Sequence, residues 1–395
     1  MTARHQRRLG RRKLLFALGG AAVAIPAAAT LAPYALADDP GTDAASLPLT
    51  VVNDTGAFGD GEVHLYIVGN QDGRQVRVTP DGTLAPVALS DNGADGFTDY
   101  AITLSGSGGT RLSLPHMSGR IYVALGAKLK FKAVTDGAGN AALQYPAGWV
   151  KSDPNYGVLH DCAEFTFNSA GMFCNTTMVD MFSVPLAIRL TGAKDQTTGT
   201  VRPGGRAAVF DAVRREAEFA PLIVDDTRVI APGHGLDAGL FPKDYLAPYI
   251  DEVWSTYTGR DLKVTTNAGT FTGRVRADRL TFDGPAQVSF ARPSTRDVLF
   301  CDGALAAPND GTTGPVAAIL GAALNRSTLL SSATQPTTDP ATFYRTGLTN
   351  HYSRAVHAAT EDGRAYGFAF DDVADFASYI QDTAPTGIRL TLTPF

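Results

Sequence analysis

CAEFTFNSAGMFCNTTMVDMFSVP, residues 162–185, is the stretch on which the reading of this chain turns. Its first six residues after the cysteine alternate, sending Glu164, Thr166 and Asn168 to one side and Phe165 and Phe167 to the other. A strand with a phenylalanine face packs on a core, so the polar face lines a surface or a cleft. Asp180 is expected in a second strand, with Met178 and Phe182 at its own parity and Val179 and Met181 opposite. An acid in such apolar company is paired, protonated or in use. The short Ser-Ala-Gly turn between the segments predicts a β-hairpin across which Glu164 and Asp180 could face each other. Cys162 and Cys174 bracket that turn and could pair across it, leaving Cys301 as a buried thiol, although spacing alone does not fix the pairing.

The pattern spreads outward from this hairpin. Between residues 47 and 190 short alternating segments (LPLTVVND, EVHLYIVGN, RVTPDG, FTDYAITL, RLSLP, RIYVAL) are separated by Asn-Asp, Asp-Gly and Gly-Gly turns. This predicts an all-β barrel or sandwich. After Thr191 the period changes. Helical spacing occupies 207–219, 244–258, 314–330 and 340–360, with strand-like LIVDD, FTGRVRAD and QVSFA between. The chain then returns to β with YGFAFDD and GIRLTLTP. The expected fold class is therefore mainly β with an α/β insertion. Its domains are a β domain over 38–190 completed by 363–395, and a mixed α/β domain over 191–362.

Residues 1–37 read as an export signal. They carry Arg7-Arg8 and Arg11-Arg12-Lys13, an apolar run from Leu14 to about Leu31, and Ala35-Leu36-Ala37 before Asp38. Arg11-Arg12-Lys13-Leu14-Leu15 resembles a twin-arginine signal, with an ordinary Sec signal as the alternative. Either places the mature chain outside a bacterial cell. Removing Arg4, Arg7, Arg8, Arg11, Arg12 and Lys13 leaves 28 of 34 basic residues against 39 acidic ones, so the net charge moves from -5 to -11. That balance argues against nucleic acid and anionic membrane as partners. No apolar run beyond the signal is long enough to span a bilayer. A monomer is the default expectation.

Rival chemistries lack their motifs. There is no Gly-x-Ser-x-Gly elbow, no phosphate-binding loop, no His-Glu-x-x-His and no Cys-x-x-Cys. His160-Asp161-Cys162 is the nearest thing to a metal cluster, but adjacent strand residues point to opposite faces. His234, in Pro-Gly-His-Gly, is expected in a turn, and His351 and His357 are badly spaced for a shared site. Two acids on a β scaffold are the raw material of glycoside hydrolysis, in which one protonates the leaving oxygen while the other activates water or attacks. Tyr366-Gly-Phe-Ala-Phe-Asp371-Asp372 is a further candidate, a strand ending in two acids.

AEFTFNSAGMFCNTTMVDMFSVPL resembles the core motif of thaumatin-like proteins, and YGFAFDDV resembles their Y-A-Y-D-D-P strand. With an α/β region in place of the plant cysteine framework, the chain is most similar to the bacterial β-1,3-glucanases of glycoside hydrolase family 64. That resemblance runs from about Leu47 to Phe395. It implies a thaumatin-like β domain, a wide acidic groove against the α/β domain, and inverting endo-type cleavage of β-1,3-glucan to laminaripentaose. It makes Glu164 the general acid and Asp180 the general base, although the apolar neighbours of Asp180 suit an acid better. Thr166, Asn168, Asp371 and Asp372 would meet sugar hydroxyls. Trp149, Tyr156, Phe173 and Tyr352 would stack on pyranose rings. Acid–base chemistry on a glycoside needs no metal or organic cofactor. Two other readings remain at this level: a non-catalytic glucan-binding or antifungal protein using the same groove, and a secreted structural protein.

Overall fold

The computed structural model describes residues 46–105 and 109–395; the predicted signal falls outside them. Up to residue 198 the regular structure among the described residues is strand, apart from two single 3-10 turns. In order these are β1 (Ser46–Asn53), β2 (Val63–Gln71), β3 (Arg74–Val78), β4 (Leu84–Pro86), β5 (Ile102–Thr103), β6 (Thr110–Pro115) and β7 (Met117–Leu125). There follow β8 (Lys132–Thr135), β9 (Ala141–Gln144), β10 (Leu159–Asn168), β11 (Gly171–Thr176), β12 (Met181–Phe182), β13 (Leu186–Thr191) and β14 (Asp195–Thr198). Helices then enter with α1 (Gly205–Arg214), β15 (Ile223–Val224), β16 (Arg228–Ile230), α2 (Pro232–Asp237) and α3 (Ala247–Gly259). Next come β17 (Leu262–Thr266), β18 (Gly269–Arg276), β19 (Arg279–Asp283), β20 (Val288–Ala291), α4 (Thr295–Phe300), α5 (Gly314–Asn325), β21 (Thr334–Gln335) and α6 (His351–Ala359). The chain closes with β22 (Tyr379–Asp382) and β23 (Gly387–Leu392).

Two sheets enclose the first core. One has the order β14-β13-β23-β1-β6; the other runs β22-β11-β10-β7-β2-β3-β4, with β5 beside β2. Every second residue of their strands points between them: Leu49 and Val51, Leu65 and Ile67, Phe165 and Phe167, Ile188 and Leu190, Leu390 and Leu392. Burying one such phenylalanine contributes on the order of 2–3 kcal/mol. Gly69 and Gly119 are register partners in β2 and β7. A Cβ on Gly69 would stand 2.1 Å from the Ser118 carbonyl oxygen, so this close strand approach requires glycine.

The second core gathers residues from 178 to 373, among them Phe210, Trp254, Tyr257, Leu280, Leu320 and Tyr352. α5 is apolar all round (GPVAAILGAALN) and is buried along its whole length, as such a helix must be. Several sequence expectations change here. The YGFAFDD segment is a turn, in which only Tyr366 bridges to Thr177. Asp371 accepts from the Gly367 amide at 2.9 Å and Phe370 has a positive φ of 69°, which bends the chain back where alternation predicted a strand. The helix expected over 340–360 is shortened to α6, with Asn350 capping it through a bond from the Ser353 amide. No helix among the described residues is long and apolar enough to cross a membrane.

Candidate active site

The outer face of the β10 sheet is covered at one end and open at the other. Tyr66, Tyr122 and Cys162 lie in one cross-strand row beneath β8 and β9, packed with Phe131 and Leu143. One step along, the register aligns Val68, Arg120, Glu164 and Asn175 on β2, β7, β10 and β11. The next row is Gln75, Asn70, Ser118, Thr166, Phe173 and Gln381. Its members are half-buried or exposed, so a polar strip with one aromatic crosses six strands.

Glu164 stands where the covered face gives way to the strip. Arg120 Nε and Nη2 both donate to its Oε1 (3.0 and 2.8 Å), and Asn175 Nδ2 donates to Oε2 at 3.3 Å. Its side chain is only 6% exposed. The hairpin is present, but Glu164 faces Asn175 across it rather than Asp180. Asp180 lies beyond β11 in a bend. Met178 and Phe182 drop into the second core while the Asp180 side chain turns out at the rim, 23% exposed. The backbone forces this. The Asp180 carbonyl accepts from the Ala231 amide (3.0 Å), β12 pairs with β16 immediately afterwards, and Tyr352 Oη donates to the Met178 carbonyl (2.6 Å).

One arginine joins the two acids. Arg120 Nη2 is 2.8 Å from Glu164 Oε1 and 3.6 Å from Asp180 Oδ2, so those oxygens lie within 6.4 Å of each other. Burial opposes the charge on Arg120, but Tyr122, Glu164, Cys162 and Asp180 around it outweigh burial and hold its pKa well above the ordinary value. Asp180 Oδ1 meets His234 Nε2 at 2.7 Å. His234 sits in α2, and its ring is stacked by Trp149 (centroids 4.4 Å apart, 23° between planes). Gly148 makes that stack feasible, because a Cβ there would come within 2.0 Å of Arg228 Nη1. A small pocket opens beside Asp180, lined by Arg120, Trp149, Thr177, Asp180, Cys162 and His160 among others. Beneath it, burial pushes the Asp161 carboxyl up to about 7 and the His160 imidazole down to about 3. Asp161 faces away, accepting from the Ser183 and Val184 amides (2.9 and 3.2 Å). Among the described residues, no three His, Cys, Asp or Glu side chains are grouped to hold a metal ion.

The other expected site residues divide. Thr166 and Phe173 belong to the open strip, while Asn168 is exposed at the hairpin end, where its Oδ1 caps the turn from the Ala170 amide (2.8 Å). Trp149 lies next to the pair but stacks first on His234. Tyr156 sits in a turn, its amide bonded to the Asp153 carbonyl. Tyr352 is fully buried and serves the backbone of Met178, so it does not stack on a sugar. Asp371 is also fully buried. Burial alone would raise its pKa, but His357 (2.8 Å) and Arg326 (3.0 Å) hold it below the ordinary value as an internal ion cluster. Asp372 is buried beside the Tyr366 hydroxyl, and neither of its oxygens completes a hydrogen bond. Burial and the neighbouring Asp371 push its carboxyl up to about 6. Cys162 and Cys174 form no disulfide. Cys174 pairs with Phe165 and faces the core, whereas Cys162 shares the face of Glu164, so the sheet separates them.

Arg120, Asn175 and His234 are the residues that sequence reasoning missed. Arg120 had a signal, since a lone arginine in RIYVAL is as odd as an acid in TMVDMF. Its partner depends on strand order, which no local pattern carries. His234 is brought in by the α2 turn.

Comparison with known proteins gives the following. The family model described as Glyco_hydro_64, beta-1,3-glucanase, matches residues 45–392. Glucan endo-1,3-beta-glucosidases from Arthrobacter sp. (strain YCWD3) and Cellulosimicrobium cellulans are each 34% identical over 397 residues, covering 96% of this chain and 69% of theirs. A laminaripentaose-producing beta-1,3-glucanase solved with laminaritetraose superposes with a TM-score of 0.80 at 36% identity, covering 88% of this chain and 99% of that one. A GH64 beta-1,3-glucanase domain from Clostridium beijerinckii gives a TM-score of 0.78 at 27% identity, covering 90% and 100%.

Proposed function

The chain belongs to glycoside hydrolase family 64 and is a glucan endo-1,3-β-glucosidase, and on that premise we propose that it cleaves β-1,3-glucan with inversion, Glu164 acting as acid and Asp180 as base. The observation carrying the division of labour is that the pocket opens beside Asp180 and not beside Glu164. An attacking water needs space at the base. Arg120 occupies Glu164 Oε1, so Oε2, with only the longer Asn175 contact, is the oxygen assigned the transferable proton. His234 occupies Asp180 Oδ1, so Oδ2 is assigned the water.

The step then balances. Water adds its hydroxyl to the anomeric carbon and gives a proton to Asp180, while the glycosidic oxygen leaves with the proton of Glu164. Those inner oxygens lie within 6.4 Å of each other, below the roughly 6.5–9.5 Å typical of inverting pairs, so inversion requires the carboxyls to be further apart when glucan is bound, and the product stereochemistry is the deciding test. The polar strip through Ser118, Thr166 and Phe173 supplies hydroxyl partners and a ring face for the polymer.

Laminaripentaose as product is supported by the relative at 36% identity described as producing it. We place a thaumatin-like β domain at 38–190 with 363–395 and an α/β domain at 191–362; the sandwich core lies in the first, while the second core also takes in Met178, Phe182, Phe368 and Val373 from the first domain's range. The basic, apolar 1–37 segment supports twin-arginine export of a monomeric extracellular enzyme. N-terminal sequencing of protein from culture medium tests the cleavage. Glu164→Gln and Asp180→Asn are each expected to lower reducing-sugar release from laminarin by at least ~10³-fold with glucan binding retained. Activity surviving in either variant sinks the assignment. NMR of the first product decides the stereochemistry: the α-anomer appears first under inversion, the β-anomer under retention.

A further inference from the structure

Asp180 sits in a bend, and a catalytic carboxylate in a bend has no strand to fix its torsion. We infer that His234 is a positioning residue for Asp180, donating Nε2–H to Oδ1 and so aiming Oδ2 at the attacking water; this rests on Asp180 being the base. A carboxylate only accepts, so the ring nitrogen 2.7 Å from Oδ1 carries the proton.

The ring itself is held on two sides. Trp149 covers its face and Phe300 meets it edge-on at 5.5 Å between centroids. The same element also holds the Asp180 backbone: the Ala231 amide, immediately before α2, donates to the Asp180 carbonyl. Main chain and side chain of one aspartate are thus clamped by residues only three apart, 231 and 234. Substituting the aspartate's surroundings elsewhere would not reproduce this. Arg120 from β7 reaches Oδ2 at 3.6 Å, and Cys162 from β10 and Tyr352 from α6 are near enough to feel the charge of the same carboxylate. Of these, His234 makes the short contact.

Three substitutions separate a donor from a packing block. His234→Gln keeps an N–H near the Nε2 position; His234→Phe keeps the aromatic stack with Trp149 and Phe300 but donates nothing; Asp180→Asn removes the base. Steady-state hydrolysis of laminarin across pH is measured for each, with thermal unfolding as the folding control. For His234→Phe, kcat is expected to fall on the order of 10–100-fold at unchanged KM, and the acidic limb of kcat/KM moves to higher pH because the charged form of Asp180 loses a donor. His234→Gln is expected to stay within about fivefold of the parent with its limb in place. Adding His234→Phe to Asp180→Asn should cost nothing more. If His234→Phe matches the parent in kcat and limb, or if Gln and Phe fail equally while both remain folded, His234 has no such role. If Asp180→Asn is itself active, the base assignment fails, whatever the histidine series shows.

Discussion

Among single residues, Arg120 carries the most consequence, because the two acids differ in how they depend on it. Glu164 takes two bonds from the guanidinium, whereas Asp180 stands 3.6 Å off and leans on His234 instead. Asp372 makes a separate statement about pH. Its carboxyl is pushed up to about 6, above an ordinary unfolded value near 4, so the folded chain holds its proton more tightly than the unfolded chain does. The stability this contributes is complete below about pH 4 and is lost as pH rises through 6. Asp372→Asn is therefore expected to raise the unfolding free energy at pH 7–8 by about 1–3 kcal/mol, and to flatten its decline between pH 4 and 7. Parallel pH curves for parent and variant, followed by circular dichroism, would contradict this. Glu164 was legible in the sequence because a ten-residue strand keeps strict alternation. Asp180 was recognised as odd for the right composition but the wrong geometry, since Met178 and Phe182 enter a core that its own side chain leaves.

Local elements were legible where the pattern was long and failed where a few bonds decide. β10, β11 and the apolar α5 follow directly from period 2 and from an all-apolar run. YGFAFDD was misread because its alternation is genuine, while the Gly367–Asp371 bond and the Arg326 contacts to the Asp371 and Val373 carbonyls are long-range facts. The 177–182 segment shows the same limit, since it is shaped by Tyr352, Ala231 and β16 rather than by its own residues. Tyr352→Phe tests that directly. Removing the hydroxyl leaves the buried Met178 carbonyl without its 2.6 Å donor, at a cost of about 1–3 kcal/mol in stability. Since Asp180 is two residues on, kcat should fall several-fold with KM unchanged. A lowered midpoint with kcat intact would show that the Ala231 and His234 clamp is sufficient alone.

For the molecule as a whole, charge and substrate make a paired prediction. The chain carries a net charge of -5, or -11 without residues 1–37, and a glucan carries none. Raising sodium chloride from about 50 to 500 mM should leave kcat/KM on laminarin within roughly twofold, because a neutral polymer does not respond to the chain's field that the salt screens. A carboxymethylated glucan of equal length should be a poorer substrate whose kcat/KM rises with salt. Salt-sensitive hydrolysis of the neutral polymer would point to a charged contact that the polar strip does not contain. The change of sequence period at residue 191 marks where helices enter, but the second core already takes in Met178 and Phe182. That Glu164 and Asp180 are held by different parts of the chain was not legible there, because the division is made by contacts between segments more than fifty residues apart.

The clamp on Asp180 also bears on how hydrolysis is gained and lost. Glu164, Arg120 and the polar strip belong to the sandwich, while the groups that hold Asp180, namely Ala231, His234 and Tyr352, all come from the insertion between β14 and β22. A relative with the same sheet and a different insertion would retain a face able to grip a polysaccharide, with an aspartate that nothing aims. Lectin-like adhesion and cleavage are then neighbouring outcomes of one scaffold. What is spliced into a single loop would select between them, with no change needed in the polar strip of the sheet.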